Sequence, residues 1–163
     1  MTSLPKEFSQ LQHLTCLDVD SNSITDLPYL GSSTGLQILV LGHNRLTEIP
    51  NWFFSLTCLT RVNLRDNLIT RVSPKIANLV KLTHFHIENN QLRSFPREAT
   101  QLVSLYLHNN YIEELASTFW RCNYISRRSS KQTSKYPPEA IDADTQPAEF
   151  LTVQRDLEDE TES

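Results

Sequence analysis

Five copies of one eleven-residue pattern run through the chain and restrict the folds that it can adopt. Each copy has the form L-x-x-L-x-L-x-x-N-x-L, with Val, Ile or Phe replacing Leu at some of the apolar positions. The copies begin at Leu14, Leu36, Leu59, Leu82 and Leu102, so that successive starts lie 22, 23, 23 and 20 residues apart. A pattern that recurs at such a period predicts a solenoid, because one repeat can bury its apolar face only against its neighbours.

Each copy contains a short stretch in which apolar and polar residues alternate, which is the period of a β-strand. We predict that five parallel strands, one per copy, lie side by side about 4.8 Å apart. The inward side chains would be Leu17 and Val19, Leu39 and Leu41, Val62 and Leu64, Phe85 and Ile87, and Leu105 and Leu107. The residues between them would line the opposite face of the sheet.

An asparagine follows each predicted strand, where the chain must turn away from the sheet. The five asparagines are Asn22, Asn44, Asn67, Asn90 and Asn110. An inward Asn carries donors and an acceptor, so it can satisfy backbone groups that the turn leaves without strand partners. We therefore predict a structural asparagine ladder, in which Asn67→Ala destabilises the fold far more than Asn89→Ala, which changes an exposed counterpart one repeat later.

A proline follows an apolar residue after most of these turns. The pairs are Leu4-Pro5, Leu27-Pro28, Ile49-Pro50 and Phe95-Pro96, and the third copy slips by one residue to Val72-Ser73-Pro74. Proline fixes φ and donates no hydrogen bond, which suits the start of a convex turn or a short helix. Apolar residues then follow at helical spacing, namely Phe8 and Leu11, Phe53 and Leu56, and Ile76 and Leu79.

In its repeated pattern and its Pro-led convex segment, the chain resembles the leucine-rich-repeat family over roughly its first 125 residues. Its 23-residue spacing resembles the intracellular Ras-signalling scaffolds, Erbin and Scribble, and the plant Ras-group-related repeat proteins. The resemblance implies an α/β leucine-rich-repeat solenoid, with a curved parallel sheet on the concave side and short helices or turns on the convex side. It also implies a non-enzymatic protein-interaction module with a signalling or scaffolding role, and a small GTPase or a phosphatase as a candidate partner.

The array departs from the regular pattern on the convex side and at its end. Residues 31–35 contain two glycines, two serines and a threonine, which favours a loop over a helix. The last interval is three residues short between Pro96 and Leu102, which predicts the loss of most of a helical turn. The spacing of Leu115, Phe119, Cys122 and Ile125 indicates convex anchors of a partial repeat. We therefore predict one solenoid domain over residues 1–125.

The composition changes after the predicted solenoid. Residues 121–136 carry five basic side chains and no acid, whereas residues 137–163 carry nine acids and one arginine. This segment has too little apolar surface to fold alone, so we predict a disordered, charge-segregated tail over residues 126–163. Within it, Arg127-Arg128-Ser129-Ser130 resembles a substrate site of basophilic kinases, with Ser130 as the acceptor. Because the array starts and stops mid-repeat, we expect a fragment or variant of a longer array rather than ends covered by a partner.

The outward strand residues form the candidate site, since the concave sheet is the usual binding surface of the family that the chain resembles. Acid dominates the first strand, arginine the third, and histidine with tyrosine the last two. The candidate partner-binding residues are Asp18, Asp20, His43, Arg61, Asn63, Arg65, His84, His86, Glu88, Tyr106 and His108. Mixed charges with Tyr and Arg anchors suit a protein partner. The alternative is that they are ordinary solvated side chains.

Other site chemistries have less support in the sequence. A zinc site at His84, His86 and His108 would require favourable rotamers, so we predict no metal or cofactor and favour protonation-sensitive partner binding instead. Asp18 and Asp20 would be a paired-carboxylate site only within a pocket that excludes water, which an open sheet does not supply. We therefore predict no catalytic residue.

Charge and cysteine usage narrow the partner and the compartment. Residues 1–120 hold nine basic and ten acidic side chains, which makes nucleic acid a poor candidate partner. No apolar segment follows Met1 and no apolar run reaches the ~18 residues of a membrane helix. With three widely spaced cysteines, we expect a cytoplasmic protein without membrane insertion. Two alternatives stay open, namely the recognition segment of a larger kinase, phosphatase, cyclase or ubiquitin ligase, and an extracellular receptor.

Overall fold

Each eleven-residue copy contributes one strand to a parallel sheet. A computed structural model describes residues 1–113, 115–117, 119 and 124–126, which lie within a unit spanning Met1–Gln132. In this part of the chain the sheet has six strands in chain order: β1 (Cys16–Asp18), β2 (Ile38–Val40), β3 (Arg61–Asn63), β4 (His84–His86), β5 (Ser104–Tyr106) and β6 (Tyr124–Ser126). The predicted fold class is confirmed. The predicted tail from residue 127 onward, including Ser130, lies outside the described residues.

The repeated pattern sets the register of the sheet. Leu17 pairs with Leu39, and Val62 with Phe85, so that the central residues of the strands form one row. This row and the inward residues two positions later are buried, except Val19, which is half-buried because β1 is the first strand. The core thus lies between the sheet and the convex segments, as the alternation predicted.

The sixth strand corrects the interpretation of the end of the array. Ile125 was predicted to be a convex anchor, but it is the central residue of β6 and pairs with Leu105. The same interval of 20 residues separates Phe85, Leu105 and Ile125. Hydrogen bonding along a parallel strand requires backbone in register rather than a complete leucine pattern, so the strand forms without one. The predicted domain boundary after residue 125 falls within β6.

Short 3₁₀ helices form the convex side where the sequence has a proline followed by apolar anchors. Among the described residues they span Lys6–Gln10, Asn51–Ser55 and Pro74–Asn78. Pro5 and Pro50 are the N-cap residues of the first two helices. Pro74 is the first residue of the third helix, a position that its fixed φ suits. The predicted anchors Phe53, Leu56, Ile76 and Leu79 are buried, whereas Leu11 of the first helix is exposed.

The two convex departures from the pattern both form turns. Residues 31–35 contain no helix, and the hydroxyl of Ser33 donates to the carbonyl of Leu11 at 2.7 Å, which anchors the loop. Residues 97–101 also form a turn, as the short interval predicted. There the Nε2 of Gln101 donates to the carbonyls of Ile76 and Leu79, at 2.9 and 3.3 Å. The shortened repeat therefore holds the end of the preceding 3₁₀ helix with a side chain.

The asparagines at the turns connect neighbouring repeats. The amide nitrogen of Asn67 donates to the carbonyls of Leu41, Leu64 and Arg65, and its oxygen accepts from the N–H of Leu46 at 2.9 Å. Asn44, Asn90 and Asn110 make equivalent sets of bonds. Asn22, at the first strand, is half-buried and donates only within its own repeat. Four of these side chains thus join adjacent turns.

Candidate functional site

The concave sheet carries its polar side chains in three columns that cross the strands. The first column contains Cys16, Ile38, Arg61, His84 and Ser104, and the second contains Asp18, Val40, Asn63, His86 and Tyr106. A third, which we call the terminal column, follows the strands and contains Asp20, Gly42, Arg65, Glu88 and His108. The backbone carbonyls of the later members of this column accept hydrogen bonds from N–H groups of the preceding repeat. For example, the N–H of Ser21 donates to the carbonyl of Gly42 at 3.0 Å, so the parallel hydrogen bonding continues past the strands.

In the first repeats, the polar side chains of the second column bond to nearby backbone. Asp18 Oδ1 accepts from the N–H of Asp20 at 3.0 Å, and Asn63 Oδ1 accepts from the N–H of Arg65 at 3.0 Å. Such bonds fix the backbone where each strand ends. Asp18 is exposed, so it lies in no pocket that excludes water.

Gly42 creates a notch in the terminal column that the sequence prediction missed. A Cβ at this position would overlap Asp20 Oδ1 and would lie 3.1 Å from Cγ of Arg65. The side chains of Asp20 and Arg65 therefore extend over Gly42 from opposite sides. Only glycine keeps this space open, because it has no side chain. Arg65 consequently leans toward the second repeat.

In the later repeats, an aromatic stack lies beside a carboxylate. The rings of His86 and Tyr106 have centroids 3.9 Å apart and planes 10° apart. His86 Nδ1 is 3.4 Å from Glu88 Oε1, and His84 Nδ1 is 2.9 Å from the hydroxyl of Thr83. The structure thus brings together the predicted residues His86, Glu88 and Tyr106 at the ends of β4 and β5.

Glu88 was predicted to be solvent-facing, and the structure corrects this placement. Its side chain is only 9% exposed, and its Oε1 lies 3.4 Å from Nδ1 of His86 in the second column. Burial acts to raise the pKa of Glu88, but the hydrogen bond from His86 and the charges of His86 and His108 together hold the pKa below its ordinary value. Glu88 is therefore a buried carboxylate that stays ionised.

The first column contains a histidine that resists protonation. Burial, followed by the charges of Arg61 and His86, lowers the pKa of His84 below its ordinary value. His84 is consequently a neutral hydrogen-bonding group near pH 7, while Arg61 beside it is exposed and charged. The four histidines among the predicted partner-binding residues therefore differ in environment and do not act as one cluster of equivalent groups.

Polar atoms without hydrogen-bond partners collect in the terminal column. Among the described residues, four buried side-chain atoms lack a partner: Asp20 Oδ1, Arg65 Nε, Glu88 Oε2 and His108 Nδ1. Buried polar atoms are usually satisfied, and each exception costs roughly 1–3 kcal/mol. Their concentration in one column of the concave face is the strongest sign of a binding surface.

A second polar ladder runs beside the terminal column at the turns. Its members all have positive φ, between 49° and 56°, and they are Ser21, His43, Asp66, Asn89 and Asn109. Asn89 donates to Asp66 at 2.8 Å, Asn109 donates to Asn89 at 2.7 Å, and His43 lies 3.4 Å from Asp66. Asn89 is thus half-buried and bonded on both sides, rather than the exposed counterpart of Asn67 that the sequence suggested.

Two other features bear on function. No helix in the part of the chain that the structure describes is long and apolar enough to cross a membrane. Within the same residues, no group of three or more His, Cys, Asp or Glu side chains is arranged to hold a metal ion.

The geometry defines a class of protein, a short solenoid with a parallel sheet on one side and 3₁₀ helices or turns on the other. The pattern of the family described as leucine rich repeat matches residues 12–69 and, in an overlapping match, residues 34–92. This chain belongs to the leucine-rich-repeat family.

Its relatives are larger proteins of several kinds. It is 31% identical over 93 residues to the human Leucine-rich repeats and immunoglobulin-like domains protein 3, and this alignment covers 56% of this chain and 8% of that protein. It is 32% identical over 105 residues to an adenylate cyclase of Podospora anserina, covering 63% of this chain and 5% of the cyclase.

A solved structure shows the same fold. It is the leucine-rich-repeat ectodomain of the plant membrane receptor kinase GASSHO1/SCHENGEN3 from Arabidopsis thaliana, in complex with CASPARIAN STRIP INTEGRITY FACTOR 2. The two superpose with a TM-score of 0.69 at 26% identity, over 77% of this chain and 16% of that one.

Proposed function

We propose that this chain is a non-enzymatic protein-interaction module that binds a protein partner on its concave face. The observation that supports the proposal most strongly is the terminal column, where four polar atoms closed to solvent lack partners beside a stacked His86–Tyr106 pair. A partner that supplies the missing hydrogen bonds would remove a cost that the free protein carries. The complex named for the Arabidopsis ectodomain is a further support.

The cellular setting is part of the same proposal. The 23-residue spacing and the Pro-led convex segments resemble intracellular Ras-signalling scaffolds, which suggests a cytoplasmic signalling or scaffolding role. A small GTPase or a phosphatase is the partner class that this resemblance implies. Fold alone does not determine the partner, so this assignment depends on the experiment below.

The test is affinity capture with the full chain and a concave variant. In the concave variant, Arg61, Arg65, His86 and Tyr106 are changed to Ala. A control variant of matched residue types on other exposed surfaces changes His13, Arg71, Lys75 and Tyr111 to Ala. We expect partners to be lost with the concave variant and retained with the control. Retention of every partner by the concave variant would refute a concave site.

A second candidate is supported by the lengths of the relatives. The chain spans 8% of the human relative and 5% of the cyclase. It would then be the recognition segment of a larger enzyme or of a receptor. Sequencing the full-length transcript tests this candidate, which predicts an open reading frame that continues into a catalytic or membrane-anchoring domain.

A further inference from the structure

The carboxylate of Glu88 is a buried charge of which one oxygen lacks a hydrogen-bond partner among the described residues. Its Oε1 has the long contact to His86, and its Oε2 has no hydrogen-bond partner within the described residues. Arg65 precedes Glu88 in the terminal column, but its Cγ lies beside Gly42 of the repeat before it. An ionised carboxylate so deeply covered is costly unless a cation approaches it.

We propose that this position is a receptor for the guanidinium of an arginine side chain of the partner. The site consists of Glu88, His108 and the stacked rings of His86 and Tyr106, and we call it the Glu88 cleft. The inference rests on the proposed function and specifies the chemistry of the partner at that surface. It concerns one side chain of a partner segment that lies across the ends of β4 and β5.

The donor geometry favours arginine. A guanidinium presents several N–H donors in one plane, and the cleft contains two atoms without partners, Glu88 Oε2 and His108 Nδ1, on neighbouring repeats. A guanidinium fork can donate to a carboxylate oxygen through more than one N–H, so it suits Glu88 Oε2 at this position. The nearly parallel rings of His86 and Tyr106 offer a flat aromatic surface beside them, against which guanidinium groups stack. A lysine ammonium would complement the charge of Glu88, but it lacks a planar set of donors that could stack on the aromatic rings.

Entry requires a side chain to move aside, since both of these atoms are closed to solvent. His108 is only half-buried, so its imidazole can rotate without disturbing the core. Changes of side-chain rotamer on binding are common even where the backbone stays fixed. A carboxylate ligand in the same position would meet the charge of Glu88, which makes an acidic side chain unsuitable there.

The test is a titration of the isotope-labelled full chain near pH 7.5 with N-acetyl-arginine methylamide, followed by amide chemical shifts. N-acetyl-citrulline methylamide is the matched ligand, because it keeps the shape and loses the charge. We expect the arginine compound to shift the amides of Glu88, Tyr106 and His108, and the citrulline compound to leave them unchanged. Equal shifts with both ligands would overturn the proposal without any variant having been made.

Two protein variants locate the charge. Glu88→Gln should weaken binding about tenfold or more, which is the loss of one charge-assisted hydrogen bond. Asp66→Asn removes a charge of the same sign nearby, from a carboxylate that already has Asn89 and His43 as neighbours. This variant should change the affinity for the arginine compound less than about twofold. Equal weakening by both variants would show that the ligand senses only overall charge, and would overturn the cleft.

The outcomes also separate this inference from the proposed function. If the arginine compound does not bind while the concave variant still loses its partners, the concave face binds protein through other contacts and the Glu88 cleft is wrong. If the concave variant still captures the partners, the proposed function is refuted, whatever the result of the titration.

Discussion

Replacement of Asn67 by Ala tests the asparagine ladder, and its cost can be worked out bond by bond. The change removes four hydrogen bonds, three donated to carbonyls and one accepted from the N–H of Leu46. The carbonyls of Leu41 and Leu64 keep bonds from Asn44 and Asn90, and that of Arg65 keeps a bond from the N–H of His43. Only the buried N–H of Leu46 is left without a partner.

The magnitude follows from this inventory. An unpaired buried amide costs about 1–3 kcal/mol, and each of the three lost bonds whose acceptor stays paired costs about 0.5–1.5 kcal/mol, which gives roughly 2.5–7.5 kcal/mol in total. Single domains unfold with about 5–15 kcal/mol, so this is a large part of the stability. With a typical urea dependence of about 2 kcal/mol per M, the midpoint of unfolding should fall by roughly 1–4 M.

The control for this experiment lies in the same ladder. Asn22 is half-buried, bonds the carbonyls of Val19 and Asp20, and accepts only from the amino group of Met1. Asn22→Ala therefore leaves no buried amide unpaired and should shift the urea midpoint much less. Equal shifts for Asn67→Ala and Asn22→Ala would refute the ladder as the source of stability. Asn89→Ala is a poorer control than the sequence suggested, because Asn89 has positive φ.

Three further predictions concern other parts of the sheet and its turns. Gly42→Ala should cost about 1–3 kcal/mol in urea unfolding because its Cβ overlaps Asp20, whereas Gly35→Ala, whose Cβ meets nothing within 4 Å, should be neutral or slightly stabilising. Asn109→Val should destabilise by about 1–2 kcal/mol in the same assay, since valine resists positive φ, while Asn109→Gly should be nearly neutral. His84 has a lowered pKa in the folded state, so the folded protein binds fewer protons than the unfolded chain. Its contribution to stability is present above pH 6.5 and is lost as the pH falls through the folded pKa. His84→Gln should therefore reduce the loss of stability between pH 7 and pH 5, and an unchanged pH profile would contradict the assignment.

The sequence was sufficient for those parts of the fold that depend on one repeat copying the next. Strand positions, register and the burial of residues such as Phe85 follow from spacing and alternation, because every repeat packs the same apolar positions against its neighbours. β6 was missed because Ile125 lies in a segment without the full pattern, and backbone pairing needs only register. The 3₁₀ form of the convex helices is likewise a matter of local geometry that apolar spacing does not determine.

The details of the candidate site depend on contacts between neighbouring columns, which no single repeat contains. Alternation assigned Glu88 to the solvent-facing side, but its carboxylate is buried in the terminal column beside His86 of the second column. Gly42 carries no chemical group, so only the overlap that a Cβ would cause reveals its role. The positive φ of the residue before each ladder asparagine had a signal in the sequence, since Asn, Asp and His are favoured there.

The asparagine ladder also determines how large a piece of the solenoid can open at once. Asn90 bonds the carbonyl of Leu64 and the N–H of Ile69, both of which belong to the preceding repeat. If one repeat opened alone, hydrogen-bonding groups in its neighbour would lose their partners. The inner repeats should therefore exchange their amide hydrogens together. Asn22 makes no such donation to an earlier repeat, so the ladder joins the first repeat to the array only through Asn44, and the amides of the first repeat should exchange sooner. The same side chains that stabilise each turn thereby make the array cooperative.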